Sequence, residues 1–84
     1  MENTWTADRL PPGACGRILE LRTAEPLRRR LLELGLIPGQ RICRRYTAPA
    51  GSPIAYEAQG MVVALRAHDA KTILLQEADG LWTR

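Results

Sequence analysis

Eighty-four residues supply enough chain for one small domain and no second core. A domain this size buries only about 60% of the surface its unfolded chain exposes, which excludes a deep substrate cavity. The chain is 45% hydrophobic, so it is not disordered, yet it has no Phe and only four aromatic residues; Leu and Ala must fill the core.

Net charge is a modest +3, but it is concentrated. Residues 22–45 hold seven arginines against Glu25 and Glu33, a local +5, and eleven of the twelve basic residues are Arg. Arg brings forked, weakly hydrated donors suited to carboxylates, phosphates and protein interfaces. Cys15 and Cys43 are 28 positions apart with no CxxC, which reads as a reduced, intracellular protein. No run approaches the roughly 20 apolar residues of a membrane span, and the first residues lack the basic and apolar regions of a signal peptide. The expectation is a cytoplasmic protein without membrane insertion.

In chain order, residues 11–13 (PPG) open the domain as a turn after a tail at 1–8. Residues 16–21 alternate as a first strand. Pro26 then stands where a helix can begin, because its missing N–H is an orphan donor in the first turn. Leu27, Leu31 and Leu34 form one apolar helical stripe, and Gly35 closes it. Arg28, Arg29 and Leu32 point elsewhere, with Arg29 and Glu33 spaced to pair. After a turn at Pro38 and Gly39, residues 40–47 read as a second strand, and residues 48–53 as a loop stiffened by Pro49 and Pro53.

Residues 54–58 and 61–66 alternate around Gln59 and Gly60 as a hairpin. A turn at 68–71 leads to a last strand at 72–76, with Ile73 and Leu75 on one face. Five short strands, one helix and tight turns suggest a mainly β fold closed into a small barrel, since closure removes exposed edges. The domain spans residues 9–77, and 78–84, with Trp82, form a second tail.

Chemistry is sparse. Zinc sites use three or four Cys, His or carboxylate ligands, and the chain offers two Cys and one His at positions 15, 43 and 68. His68, Asp69 and Cys43 are the candidates for a loose transition-metal contact; no cofactor is required. No nucleophile and base share a recognisable frame, and no glycine pattern cradles a nucleotide, so the chain reads as a binding module and not an enzyme. Single-stranded nucleic acid is the rival partner, because small basic barrels stack bases on exposed aromatics. Here Trp5 and Trp82 lie in the tails, Tyr56 alternates inward, and only Tyr46 is near the arginines, so a nucleic-acid partner is not favoured.

LPPG at 10–13, GRI at 16–18, RRRLLELGLIPG at 28–39, APAGSPI at 48–54 and VALR at 63–66, followed by Ala70 and Ile73, together resemble the FeoA family of ferrous iron transport proteins. The resemblance implies an SH3-like β-barrel with a helix inserted after the first strand. It also implies a small cytosolic accessory protein of bacterial ferrous iron uptake that binds the cytosolic side of the FeoB membrane GTPase transporter. The same module ends iron-dependent repressors, which makes a stand-alone relative of that domain the alternative. On this resemblance Arg28, Arg29 and Leu32 with Pro49, Gly51, Ser52 and Pro53 are the partner-binding candidates, and Leu27, Leu31, Leu34, Gly35 and Gly39 the structural motif. Self-association through the tails stays open. Three positions depart from the family pattern: Ala50 and Ser52 replace an apolar tip and a carboxylate, and Arg44 stands where an inward aliphatic residue is usual.

Overall fold

The computed structural model describes residues 4–76, so the expected tail at 78–84, including Trp82, lies outside the described residues. Six strands form one antiparallel sheet: β1 (Thr4–Thr6), β2 (Cys15–Leu21), β3 (Arg41–Thr47), β4 (Ile54–Ala58), β5 (Met61–Leu65) and β6 (Ile73–Gln76). The strand order is β1-β6-β2-β3-β4-β5, so β1 and β5 end the ladder. Helix α1 (Leu27–Glu33) follows β2 as the spacing requires, and a one-turn helix α2 (Ala67–Ala70) bridges β5 and β6.

The expected mainly β fold with a short helix is present, with six strands among the described residues where about five were expected. The added strand lies in the segment expected to be an N-terminal tail. Thr4, Trp5 and Thr6 pair with Gln76, Leu75 and Leu74, and a 3-10 turn follows at Ala7–Arg9. Three residues of strand are too few to show a period, so this edge is set by its partner rather than by local pattern.

β2 carries the architecture. Cys15 to Arg17 pair with β3, while Arg17 to Leu21 pair with β6, so one strand joins the two halves of the sheet. A register shift between Ile18 and Glu20 inserts Leu19, which lets Ile18 and Leu21 both face inward although three positions apart. A second shift between Arg44 and Tyr46 bends β3 in the same way. Between β4 and β5 the turn places both Gln59 (φ 54°) and Gly60 (φ 76°) in the left-handed region, as a two-residue hairpin demands. Ile18, Leu31, Ile42, Ile54, Tyr56 and Leu75 meet in a single core.

Arg44 resolves its own departure from the family pattern. It is half-buried on the inward face of β3, and its guanidinium donates to the carbonyls of Asp8 (3.1 Å) and Leu10 (2.7 Å) and to Thr47 Oγ1 (2.8 Å). Tyr56, buried beneath it, donates its hydroxyl to the Ala7 carbonyl at 2.9 Å. The charge thus ties the 3-10 turn to the sheet, and Arg44 keeps its pairing with Tyr56 immediately before the β3 register shift. Backbone bonds Gly13 N–H to Arg44 O (2.8 Å) and Arg44 N–H to Ala14 O (2.9 Å) hold the same place.

The expected reduced cysteines are also corrected: Cys15 and Cys43 are joined in a disulfide. They are direct cross-strand partners at 3.9 Å between Cα atoms. The flanking bond, Arg44 N–H to Ala14 O, makes this a non-hydrogen-bonded row, where side chains approach most closely, and Ile18 N–H to Gln40 O marks the Arg17–Arg41 row as the same kind. Spacing along the chain carries no trace of that pairing, because it arises only when β2 and β3 align.

Candidate partner-binding surface

Helix α1 presents two chemically different faces. Leu31 is 1% exposed, and Leu27 and Leu34 pack beside it against the core. Gly35 follows at φ +98° and ends the helix, and a Cβ there would stand 3.2 Å from Gln59 Oε1. Opposite, Arg28, Arg29 and Arg30 are all exposed. Glu25, just before the helix, supplies an acid at its N-terminus: its Oε1 accepts the Arg29 backbone N–H at 3.1 Å, and its Oε2 lies 3.6 Å from Arg28 Nη1. The ion pair at this helix is therefore Arg28 with Glu25, and the spacing-based pairing of Arg29 with Glu33 is not among the ion pairs of the described residues. Arg29 and Arg30 keep their guanidinium groups without a carboxylate partner there.

Leu32 is half-buried and packs against the core, so it is at most a partial anchor for a partner. In the 48–53 loop, Pro49, Gly51 and Pro53 are exposed, while Ala48 N–H to Pro53 O (3.0 Å) and Gly51 N–H to Ala48 O (2.8 Å) close it into a tight turn. Gly51 has φ +92° with open space around it, so the tip is free for contact. Ser52 is committed inward: its Oγ accepts the Ala67 N–H at 2.9 Å and starts α2. The loop thus leans on α2, whereas the C-terminal turn of α1 meets the β4–β5 turn.

The metal candidates are not assembled. His68 is exposed on α2, Asp69 faces Arg66 at 3.6 Å, and Cys43 is corrected as a ligand because its sulfur is in the disulfide. Among the described residues no three His, Cys, Asp or Glu side chains converge as a metal site. Stackable rings are equally scarce, since Tyr56 is buried and Tyr46, at 62% exposure, is the exposed aromatic among the described residues.

Two surface features lie outside the motifs, one that strand alternation could have located and one that only strand register creates. Tyr46 and Val62, the latter 63% exposed, stand on the outer face of β3, β4 and β5. On the outer face of β2 and β3, Arg17 directly opposes Arg41. In addition, no helix among the described residues is long and apolar enough to cross a membrane.

A search of curated protein sequences finds no match. Solved structures do match. The FeoA protein of Chlorobium tepidum superposes with a TM-score of 0.86 at 28% identity, covering 90% of this chain and 72% of that one. Iron(II) transport protein A of Clostridium thermocellum gives 0.78 at 30% identity, covering 95% of this chain and 47% of that one. FeoA of Stenotrophomonas maltophilia, described as an SH3 domain protein and complexed with zinc, gives 0.77 at 24% identity over 86% of this chain and 89% of that one, a likeness of fold. A manganese-dependent transcriptional repressor shares the fold at 15% identity and a TM-score of 0.79. The model of the FeoA domain matches residues 6–77, nearly the whole described structure, and with it the chain belongs to the FeoA domain family, an SH3-like fold associated with ferrous iron transport.

Proposed function

We propose that this protein is a cytosolic accessory subunit of bacterial ferrous iron uptake, which docks on the cytosolic portion of a FeoB-type membrane GTPase transporter and works by binding, not catalysis. The observation that carries the reading is the family match over residues 6–77, which spans both the arginine helix and the 48–53 loop. The Stenotrophomonas maltophilia relative is described as a candidate activating factor of ferrous iron transport, which fits the same role.

The docking element in this reading is the exposed side of α1. Arg29 and Arg30, free of carboxylate partners among the described residues, supply orientation and association rate, the usual contribution of interfacial charge. Pro49, Gly51 and Pro53 offer a rigid second contact at the loop tip. Leu32 contributes apolar area at the edge of the helix while remaining part of the core packing. Ferrous iron is the transporter's cargo here, and no residue of this chain is assigned to hold it.

Capture of the transporter's cytosolic portion on immobilised protein tests the reading. Wild type is expected to bind, and Arg29→Glu with Arg30→Glu to lose about tenfold or more in affinity, the result of reversing two interfacial charges. Both positions are exposed, so the variant keeps its fold. Absence of capture by wild type overturns the partner, and undiminished capture by the variant overturns the helix as the docking element.

A further inference from the structure

We propose that the outer face of the β2–β3 seam is a carboxylate clamp, formed by Arg17 and Arg41 beside an open groove, and that its occupant is an acidic segment of a protein partner. Arg17 and Arg41 are direct cross-strand partners two positions from the disulfide pair. Two residues along an antiparallel ladder return to the same kind of row, so they too occupy a non-hydrogen-bonded position, where side chains stand closest. Like charges in that position destabilise a sheet. Local rules broken in this way, with no compensation among the described residues, concentrate at functional or strained sites.

Compensation is indeed missing among the described residues. Their ion pairs are Arg22 with Glu20, Arg28 with Glu25, Arg45 with Glu57 and Arg66 with Asp69, which leaves Arg17 and Arg41 without a carboxylate. Arg17 Nη1 donates to the Gly39 carbonyl at 3.1 Å, which fixes one side of the clamp. Arg41 borders a groove of about 340 Å³ whose other charged walls, Arg45 and Glu57, already neutralise each other at 2.5 Å. The floor is held by Gln59 Nε2 donating to Gln40 Oε1 at 2.6 Å. Arg41 is therefore the lining cation still in need of an anion.

An acidic peptide suits this face better than a nucleic acid. The groove lining contains no aromatic ring. The exposed Tyr46 lies five residues further along β3, roughly 16 Å away at about 3.3 Å per residue, too far to stack a base whose phosphate sits on Arg41. Paired guanidinium forks match carboxylates bidentately. The proposal takes from the preceding section only that the partner is a protein; it does not need α1 to be the docking element.

The test is fluorescence anisotropy with labelled octaglutamate and labelled octathymidylate, read at low and high salt on the full chain. Wild type is expected to bind octaglutamate more tightly than octathymidylate and to weaken as salt rises. Arg17→Gln with Arg41→Gln should lose about tenfold or more, while the control Arg66→Gln with Lys71→Gln, two exposed cations at α2, stays within about twofold. The clamp variant should also melt a few degrees higher than wild type, because a repulsive pair has been removed. No octaglutamate binding, equal loss in both variants, tighter octathymidylate binding, or a clamp variant that melts lower would each overturn the proposal. Because transporter capture is read separately, failure of the clamp and failure of the proposed partner are distinguishable.

Discussion

Reducing the Cys15–Cys43 disulfide should cost this domain a large part of its stability. The bond closes a chain segment with a sequence separation of 28, and it does so at the seam where β2 joins the two halves of the sheet. Loop-closure entropy for that length predicts a loss of about 3.6 kcal/mol at 25 °C. An 84-residue chain has an unfolding entropy near 0.18 kcal/mol/K, so the melting temperature should fall by roughly 20 °C. Reduction is a cleaner perturbation than substitution, because it leaves every other side chain in place. Circular dichroism melts with and without a phosphine reductant, paired with thiol counting on the denatured protein, measure the effect. Two free thiols with an unchanged melting temperature would refute the reasoning, since they would show that the β2–β3 ladder holds the seam without the covalent link. The outcome matters for the proposed cytosolic setting, where thiol buffers favour the reduced form.

Other outcomes follow from the buried polar ties around the 3-10 turn. Burial pushes the Tyr56 phenol well above its ordinary value, with the Arg44 charge opposing and Asp8 adding. A raised folded-state value means the folded protein holds this proton where the unfolded chain releases it, so stability should be full below about pH 10 and decline as pH rises beyond it. Tyr56→Phe should remove that part of the alkaline decline, at a cost of about 1 kcal/mol at neutral pH for the lost bond to Ala7; pH-dependent melts of both proteins check this. Arg44→Leu, which restores the aliphatic residue that resemblance to the family leads one to expect, should cost about 2 kcal/mol here, because the Asp8 and Leu10 carbonyls lose their donor. Hydrogen exchange at the Leu10 N–H, bonded to Ala7 O, should speed up in that variant, and unchanged protection would show that Arg44 is not the tie.

Much of the framework was legible from local pattern. The Leu27, Leu31 and Leu34 stripe and Gly35 located α1 because helical period and the left-handed cap are both short-range properties. Gln59 and Gly60 located the hairpin for the same reason. Where the pattern was too short or was interrupted, reading failed. β1 has three residues and α2 four, less than either period needs. Leu19 and Arg45 break the alternation of their strands, as bulges must, and so obscured which residues face inward. The arginines of α1 were visible as a charge run; the pairing of Arg17 with Arg41 was not, since 24 residues separate them and only strand register brings them together.

The amino-acid sequence by itself determined the small mainly β domain, the helix α1, the local concentration of charge and, through the order and spacing of RRRLLELGLIPG and APAGSPI, the family. These depend on periodicity, on turn residues and on motif spacing, all written along the chain. Tertiary structure alone decided that Cys15 meets Cys43, that Arg44 turns inward to hold three carbonyl and hydroxyl oxygens, that Ser52 is spent on α2, and that two arginines oppose each other across a seam. All of those outcomes include a contact between residues far apart in sequence, and for the cysteines and the arginine pair it is antiparallel register, which no local propensity encodes, that sets it.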